Sequence, residues 1–239
     1  MIPKIIHYCW FGGKPMPELA LKCIESWKKF LPEYELRLWN EDTFDINSVP
    51  YVKEAYEARK FAFVTDYIRL CALEREGGVY MDTDVEVLQS FDSLLDDTAF
   101  IGLEESLALL PGTCVMGCEA HCLWVKDMLG TYEGAHFLCE DGTLDMTTNV
   151  QRLGERMVQG GLLHERKIQY LPQWGLRIYT HDYFSPITST RVMRKTKNTY
   201  CIHRFAGTWV DGKKSGIRDW WIVREFINLL VQIKRFLQK

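Results

Sequence analysis

Between Phe61 and Leu88 the chain reads FAFVTDYIRLCALEREGGVYMDTDVEVL, and its most informative chemistry lies there. Asp66 and Arg69 are three positions apart in a strongly helical stretch, so they share one helix face. Gly77-Gly78 supplies a natural helix stop. Val79-Tyr80-Met81 then reads as a short buried strand, with Asp82-Thr83-Asp84 at its carboxyl end. Ligands of open α/β sheets gather at the carboxyl ends of strands. Two carboxylates one residue apart on such a turn repel each other unless a cation sits beside them. Hard oxygen donors suit Mg²⁺ or Mn²⁺, whose remaining positions are commonly filled by substrate phosphates. The implied substrate is a nucleoside diphosphate bearing a transferable group, and the implied task of the cation is to neutralise the diphosphate as it leaves. A bare D-x-D is common, and an Asp–Arg pair alone is usually a solvated helix pair. The ordered block D-x-x-R, helix, G-G-x-Y, D-x-D is far more specific than any of its parts.

The elements that must position these residues follow from periodicity. Residues 2–8 read as a strand ending in the turn Trp10-Phe11-Gly12-Gly13. Pro17 opens a helix over 18–31, with Leu19, Cys23, Ile24, Trp27 and Leu31 on one side. Residues 34–39 alternate as a second strand. A strand–helix–strand opening predicts an α/β fold with parallel strands and a right-handed crossover. A helical stretch over 51–76 has a break near Lys60-Phe61. Further strands are expected at 99–103, 113–116, 167–171, 178–179 and 200–203, with a helix over 119–129; residues 131–165 show no clear period.

Composition sets the outer limits. The chain has 239 residues, 47% hydrophobic and 26% charged, which fits one large domain and excludes a disordered or fibrous chain. A net charge of −3 provides no basic field for nucleic acid. The charge is uneven: residues 213–239 carry +5, leaving −8 on residues 1–212. The expected division is a catalytic domain over 1–212 and a basic amphipathic helix over 213–239. Within 220–239 the polar positions 224, 228, 232, 235 and 239 draw one stripe opposite a wide apolar face. That pattern suits a peripheral membrane contact, or a helix packed on the domain or on a second subunit. The opening lacks an export signal, so the eight cysteines are expected to be reduced thiols of a cytoplasmic protein, peripheral on the inner face of the membrane where the tail binds it. Cys114, Cys118 and Cys122 near His121 lack a C-x-x-C pair and read as buried thiols rather than a zinc site.

Three separated motifs together resemble the Och1-like, DXD-containing glycosyltransferases of family 32, which are distantly similar to the large clostridial glucosylating toxins. They are the block over 66–84, the opening Ile2-Pro3-Lys4-Ile5-Ile6-His7-Tyr8-Cys9-Trp10, and His203-Arg204-Phe205-Ala206-Gly207-Thr208-Trp209. The resemblance covers residues 2–103 and, by motif, 199–209. It implies a GT-A fold, a single Rossmann-like nucleotide-binding domain with a mixed central sheet. It also implies metal-dependent, retaining transfer of a hexose from a UDP- or GDP-sugar to a saccharide or lipid-linked saccharide acceptor, in capsular or other surface polysaccharide synthesis. Carried over by position, Trp10 lines the base, Asp66 and Arg69 hold sugar hydroxyls, and Asp82 and Asp84 serve Mn²⁺ or Mg²⁺ with His203 completing the shell. Thr208 and Trp209 reach the diphosphate; His7 and Tyr80, inside the same motifs, join the donor-binding set. Asp82, Asp84 and Arg69 form the catalytic group, and Glu104 and Glu105 are acceptor candidates. The family's Thr-Gly-Pro segment is replaced here by Asp145-Met146-Thr147-Thr148-Asn149. No catalytic nucleophile is indicated; the acceptor hydroxyl can attack on the face from which the diphosphate departs. Two readings compete: a metal-dependent phosphohydrolase using D-x-D, and a non-catalytic carbohydrate-binding protein.

Overall fold

The first strand, β1 (Ile5–Cys9), is followed by α1 (Glu18–Phe30) and by β2 (Glu35–Trp39), which lies parallel to β1. This is the strand–helix–strand unit expected from the sequence. A computed structural model describes residues 1–104, 111–188 and 191–207. Glu105, Thr208, Trp209 and the basic segment 213–239 lie outside the described residues.

The helical stretch after β2 forms α2 (Pro50–Glu57) and α3 (Phe61–Glu76), separated at the expected break, where Arg59 has positive φ. Then come β3 (Gly78–Met81), β4 (Val85–Val87), β5 (Ala99–Leu103), β6 (Pro111–Cys118) and α4 (Leu123–Gly130). The chain continues with α5 (Asn149–Gln159), β7 (Gln169–Leu171), β8 (Leu176–Tyr179), α6 (His181–Phe184) and β9 (Cys201–His203). The helix expected over 119–129 starts later, because His121 has positive φ and Cys122 is the N-cap. The unread stretch 131–165 contains α5, begun by Thr148, whose side chain accepts from Gln151 N. Its T-x-x-Q start and apolar Val150, Leu153 and Met157 are the helix signal that reading missed.

Seven strands form one mixed sheet in the order β2-β1-β3-β6-β5-β8-β7. β1 is parallel to β2 and β3, β6 is antiparallel to β3 and β5, and β8 is parallel to β5. This is the α/β class with the mixed central sheet expected under the GT-A assignment. The carboxyl ends of β1, β2, β3 and β5 therefore emerge on one side. β3 is buried along its whole length, consistent with its unbroken apolar sequence. One core joins α2, α3, α4 and α5 residues such as Tyr51, Ile68, Trp124 and Leu153 to the sheet. The other seats Ile24, Trp27 and Leu31 of the α1 region against Val79, Val85, Val87 and Phe91. Trp27 Nε1 donates to Val85 O at 2.7 Å, tying that helix to β4.

The turn from α3 to β3 is a backbone necessity. Gly77 has φ +65° and a Cβ there would lie 2.6 Å from Ala120 N; Gly78 has φ +99° and a Cβ would meet Ile5 O at 2.8 Å. Glycine is required at both positions. This tight passage places Asp66 and Arg69 of α3 behind the strand whose end bears Asp82 and Asp84.

A second, two-stranded sheet decides the site. β4 pairs antiparallel with β9, with Val85 opposite His203. This register carries a late segment of the chain onto the end of β3.

Candidate active site

Arg69 is the hub of a buried polar cluster. Its Nη2 lies 2.9 Å from Asp66 Oδ1 and its Nη1 3.2 Å from Asp82 Oδ1. Nη1 also donates to Thr113 O at 2.8 Å, Nε donates to Thr65 O at 3.3 Å, and the guanidinium stands 4.6 Å from the centre of the Tyr80 ring. Tyr80 OH donates to Asp82 Oδ1 at 2.8 Å. Burial would lower the Arg69 pKa, but Tyr80, Asp82 and Asp66 outweigh it and raise it, so the cation persists. Burial raises the Asp66 pKa against the opposing pull of Arg69 and of the hydrogen bond from Asn149 N. Tyr80 is raised well above the phenol range by burial, so it remains a donor to Asp82.

Asp66 is supported from behind by α5. Asn149 N donates to Asp66 Oδ2 at 3.1 Å. Arg152, one turn on, pairs with Asp145 and stands over the Tyr51 and Tyr132 rings at 5.7 and 5.0 Å. Local sequence does not mark Asn149 and Arg152 as neighbours of Asp66; the capping pattern at Thr148 and the spacing of Val150, Leu153 and Met157 signal only the helix that carries them.

Asp82, Asp84 and His203 offer ligand atoms that all lie within 4.8 Å of one another. Asp84 Oδ1 is 3.4 Å from His203 Nε2, and Asp84 Oδ2 accepts from Ala206 N at 2.7 Å. Arg204 N donates to Asp84 O at 2.9 Å, and Arg204 Nε bonds Glu86 Oε2 at 2.8 Å, which fastens β9 to β4. Two carboxylates and one imidazole make a donor set that fits a divalent cation, which commonly takes its remaining ligands from water or substrate. Burial would raise Asp84, but the charge and bonding of His203 and the Ala206 N–H hold it below the usual carboxylate range. Burial would lower His203, but Cys114 and Asp84 outweigh it and raise the imidazole well above its ordinary value.

These opposite shifts define a pH window. A depressed carboxylate stabilises the fold above its unfolded value, and the contribution is lost as pH falls through its folded value. A raised imidazole stabilises below its unfolded value, and the contribution is lost as pH rises through its folded value. Both are present in full between about pH 4 and about pH 6.5, the unfolded values of the two groups. In chelator-treated protein, the melting-temperature gap between wild type and Asp84→Asn is expected to be widest in that window. A gap independent of pH would count against the ion pair.

A separate cleft of about 530 Å³ opens at the carboxyl ends of β1 and β2, lined among others by Trp10, Gly12, Gly13, Asn40 and Tyr56. Glu41 braces it, accepting from Gly12 N at 2.7 Å and from Tyr56 OH at 2.9 Å.

Three of the candidate site residues are buried. His7 is fully buried, with Nε2 2.7 Å from Gly77 O and Nδ1 accepting from Trp39 Nε1 at 3.0 Å. Both nitrogens are engaged inside the protein, so His7 joins β1, β2 and the α3–β3 turn instead of facing a donor. Tyr80 is likewise buried and reaches Asp82 and Arg69 from within. Glu104 is 4% exposed beside His203, which overturns a solvated loop at this position. Of the three cysteines considered for zinc, Cys114 and Cys118 are buried on β6 and Cys122 caps α4, while His121 faces Glu74 at 3.0 Å.

Residues 17–101 match the family model described as the glycosyltransferase sugar-binding region containing DXD motif. That segment holds the block in which the resemblance was read. Inositol phosphoceramide mannosyltransferase 3 of Schizosaccharomyces pombe is 30% identical over 104 residues, covering 42% of this chain and 29% of the relative. Mannosyl phosphorylinositol ceramide synthase CSH1 of Saccharomyces cerevisiae is 30% identical over 105 residues, covering 42% and 28%. The match thus spans less than a third of the length of either relative. Among solved structures, the PaToxG glycosyltransferase superposes with a TM-score of 0.48 at 18% identity, covering 67% of this chain and 72% of its own.

Proposed function

We propose, from a DXD segment matched by a glycosyltransferase family model, that the protein transfers a hexosyl group from a UDP- or GDP-sugar to a saccharide or lipid-linked saccharide acceptor. The observation that carries this reading is the convergence of Asp82, Asp84 and His203 beside the buried Asp66–Arg69–Asp82 cluster. Mn²⁺ or Mg²⁺ would be held by Asp82, Asp84 and His203, and when bound it supplies positive charge to a departing diphosphate.

The protein's own contribution is positioning. Arg69 and the Tyr80 hydroxyl both hold Asp82 Oδ1, so that carboxylate is oriented before any ligand arrives. Asp66, fixed by Arg69 and by Asn149 N, would accept hydrogen bonds from donor-sugar hydroxyls, the role the family resemblance implies. Trp10 offers a flat apolar face for a nucleobase in the cleft at the ends of β1 and β2. No side chain in this cluster is an unencumbered nucleophile: Asp66 and Asp82 are bound to Arg69, and Asp84 is bound to Ala206 N. This disfavours a covalent glycosyl-enzyme; the retention implied by the family resemblance would then come from direct, same-face attack by the acceptor hydroxyl. The two relatives' names make a mannosyl donor the first to try.

Incubation with Mn²⁺ and GDP-mannose, UDP-glucose, UDP-galactose or UDP-N-acetylglucosamine is expected to release nucleoside diphosphate slowly without acceptor and faster with one. Release of phosphate from monoesters, with no attack on any nucleotide sugar, would transfer the assignment to a phosphohydrolase. Inertness in both assays would favour a carbohydrate-binding protein. Trp10→Ala is expected to weaken binding of the free nucleoside diphosphate roughly tenfold, the usual loss for one base–aromatic stack. Calorimetric affinity equal to wild type would remove Trp10 from the base site.

A further inference from the structure

The cation reading leaves Glu104 unexplained. β3 and β5 are both antiparallel to β6, so they run in the same direction and their carboxyl ends open on the same side of the sheet. Glu104 directly follows β5 and is thereby delivered to the site at the end of β3. Its side chain is only 6% exposed, and a carboxylate so buried needs polar or charged partners, of which the His203 ring is one. Space is made for it on the neighbouring strand: a Cβ on Gly112 would stand 3.0 Å from Glu104 Cγ.

The imidazole of His203 lies between two carboxylates. Nε2 is 3.4 Å from Asp84 Oδ1, and Nδ1 is 3.7 Å from Glu104 Oε1. The ring packs against Phe205, with centroids 3.9 Å apart and the planes tilted by 36°. Nδ1 is buried and has no hydrogen-bond partner within bonding distance. The Cys114 thiol flanks the same ring, but a thiol is a weak partner and a carboxylate a strong one. A side-chain shift of a few tenths of an ångström brings Glu104 Oε1 within hydrogen-bonding distance of Nδ1.

We infer that Glu104 is a positioning residue which accepts the Nδ1–H of His203, so that the Nε2 lone pair faces a cation shared with Asp82 and Asp84. The inference rests on the cation site proposed above and deepens it. A histidine ligand commonly donates its second N–H to a carboxylate, which sets its tautomer and ring orientation and raises its basicity. Here the first partner is on β9, the second follows β5, and the remaining ligands follow β3. The Nδ1–H bond would couple these separate chain segments at one point. It assigns to Glu104 a role different from the acceptor contact expected on sequence grounds.

The test is Mn²⁺ affinity, read from the free-ion electron paramagnetic resonance signal, for wild type, Glu104→Ala, Glu104→Gln and Asp84→Asn, without nucleotide sugar. Glu104→Ala is expected to weaken Mn²⁺ binding roughly 10- to 100-fold, the usual loss for such a partner. Glu104→Gln keeps a carbonyl oxygen for Nδ1–H and is expected to stay within about threefold of wild type. With Zn²⁺ as a diamagnetic substitute, the ¹⁵N spectrum of wild type and Glu104→Gln should show His203 protonated at Nδ1, and Glu104→Ala should lose that signature. Wild-type affinity in Glu104→Ala, with binding abolished in Asp84→Asn, overturns the role of Glu104 and leaves the cation site intact. Equal weakening in Glu104→Gln and Glu104→Ala also overturns it, because charge and not hydrogen bonding would then be what counts. Wild-type affinity in Asp84→Asn overturns the cation site itself, and the inference with it.

Discussion

Asp84→Asn is expected to slow sugar transfer by at least roughly 10²–10³-fold while leaving the protein folded, comparable to the loss of one preorganised group that stabilises developing charge. The amide keeps the size of the carboxylate and an oxygen for the Ala206 N–H. It removes the negative charge that faces His203 Nε2 at 3.4 Å and that would hold a cation there. Asp82→Asn should act similarly but less cleanly. Asp82 Oδ1 is also tied to Arg69 and to the Tyr80 hydroxyl, so its amide disturbs the internal cluster as well. The measurement is single-turnover formation of glycosylated acceptor at saturating donor and Mn²⁺, with circular dichroism confirming the fold. Turnover within a few-fold of wild type in Asp84→Asn would remove the basis for a cation-assisted reaction at this site.

Arg69→Met is expected to destabilise the fold by roughly 3–5 kcal/mol, the range found when one partner of a buried ion pair is removed. Arg69 is 5% exposed and faces both Asp66 and Asp82, at 2.9 and 3.2 Å. Removing its charge leaves the buried Asp66 carboxylate without its counter-ion, close to the partly buried Asp82. The Thr113 and Thr65 carbonyls also lose their donor. Methionine fills much of the volume, so the loss reports the polar network and not a cavity. Arg69→Lys should recover little, since an ammonium cannot reproduce the forked, planar contacts to two carboxylates and the stack on Tyr80. Urea unfolding at pH 7 measures this as a drop in midpoint at unchanged slope. A shift worth under about 1 kcal/mol would indicate a solvated pair of the kind found on helix surfaces.

Much of the cluster was legible because its parts are local. Asp66 and Arg69 share a face through helix geometry alone, and the two glycines announce the turn that sets Asp82 and Asp84 at a strand end. Alternation and apolar runs also located β2, β3 and β5 to within a residue, and β1 with its start three residues early. The helix α5 was missed for a different reason. Its residues 149–159 are mostly polar, so the apolar stripe is thin, and the Thr148–Gln151 capping pattern was the stronger sign. His7 shows the opposite limit: a histidine inside a recognised motif was read as a ligand contact, and only its packing shows both nitrogens occupied within the core.

By itself the sequence determined the α/β class, the helix that pairs Asp66 with Arg69, and the two carboxylates at the end of β3. Periodicity, turn chemistry and side-chain charge act over a few residues and are written in order along the chain. The motif resemblance grouped His203 with Asp82 and Asp84, and the tertiary structure supplied the contact; only the tertiary structure decided that Glu104 is buried against the other edge of the same imidazole and that Asn149 braces Asp66. Those neighbours come from the pairing of β4 with β9, from β3 and β5 sharing one direction across β6, and from the docking of α5. Each is a long-range contact selected by burial of whole faces, and no local pattern specifies which distant segment will fill the space.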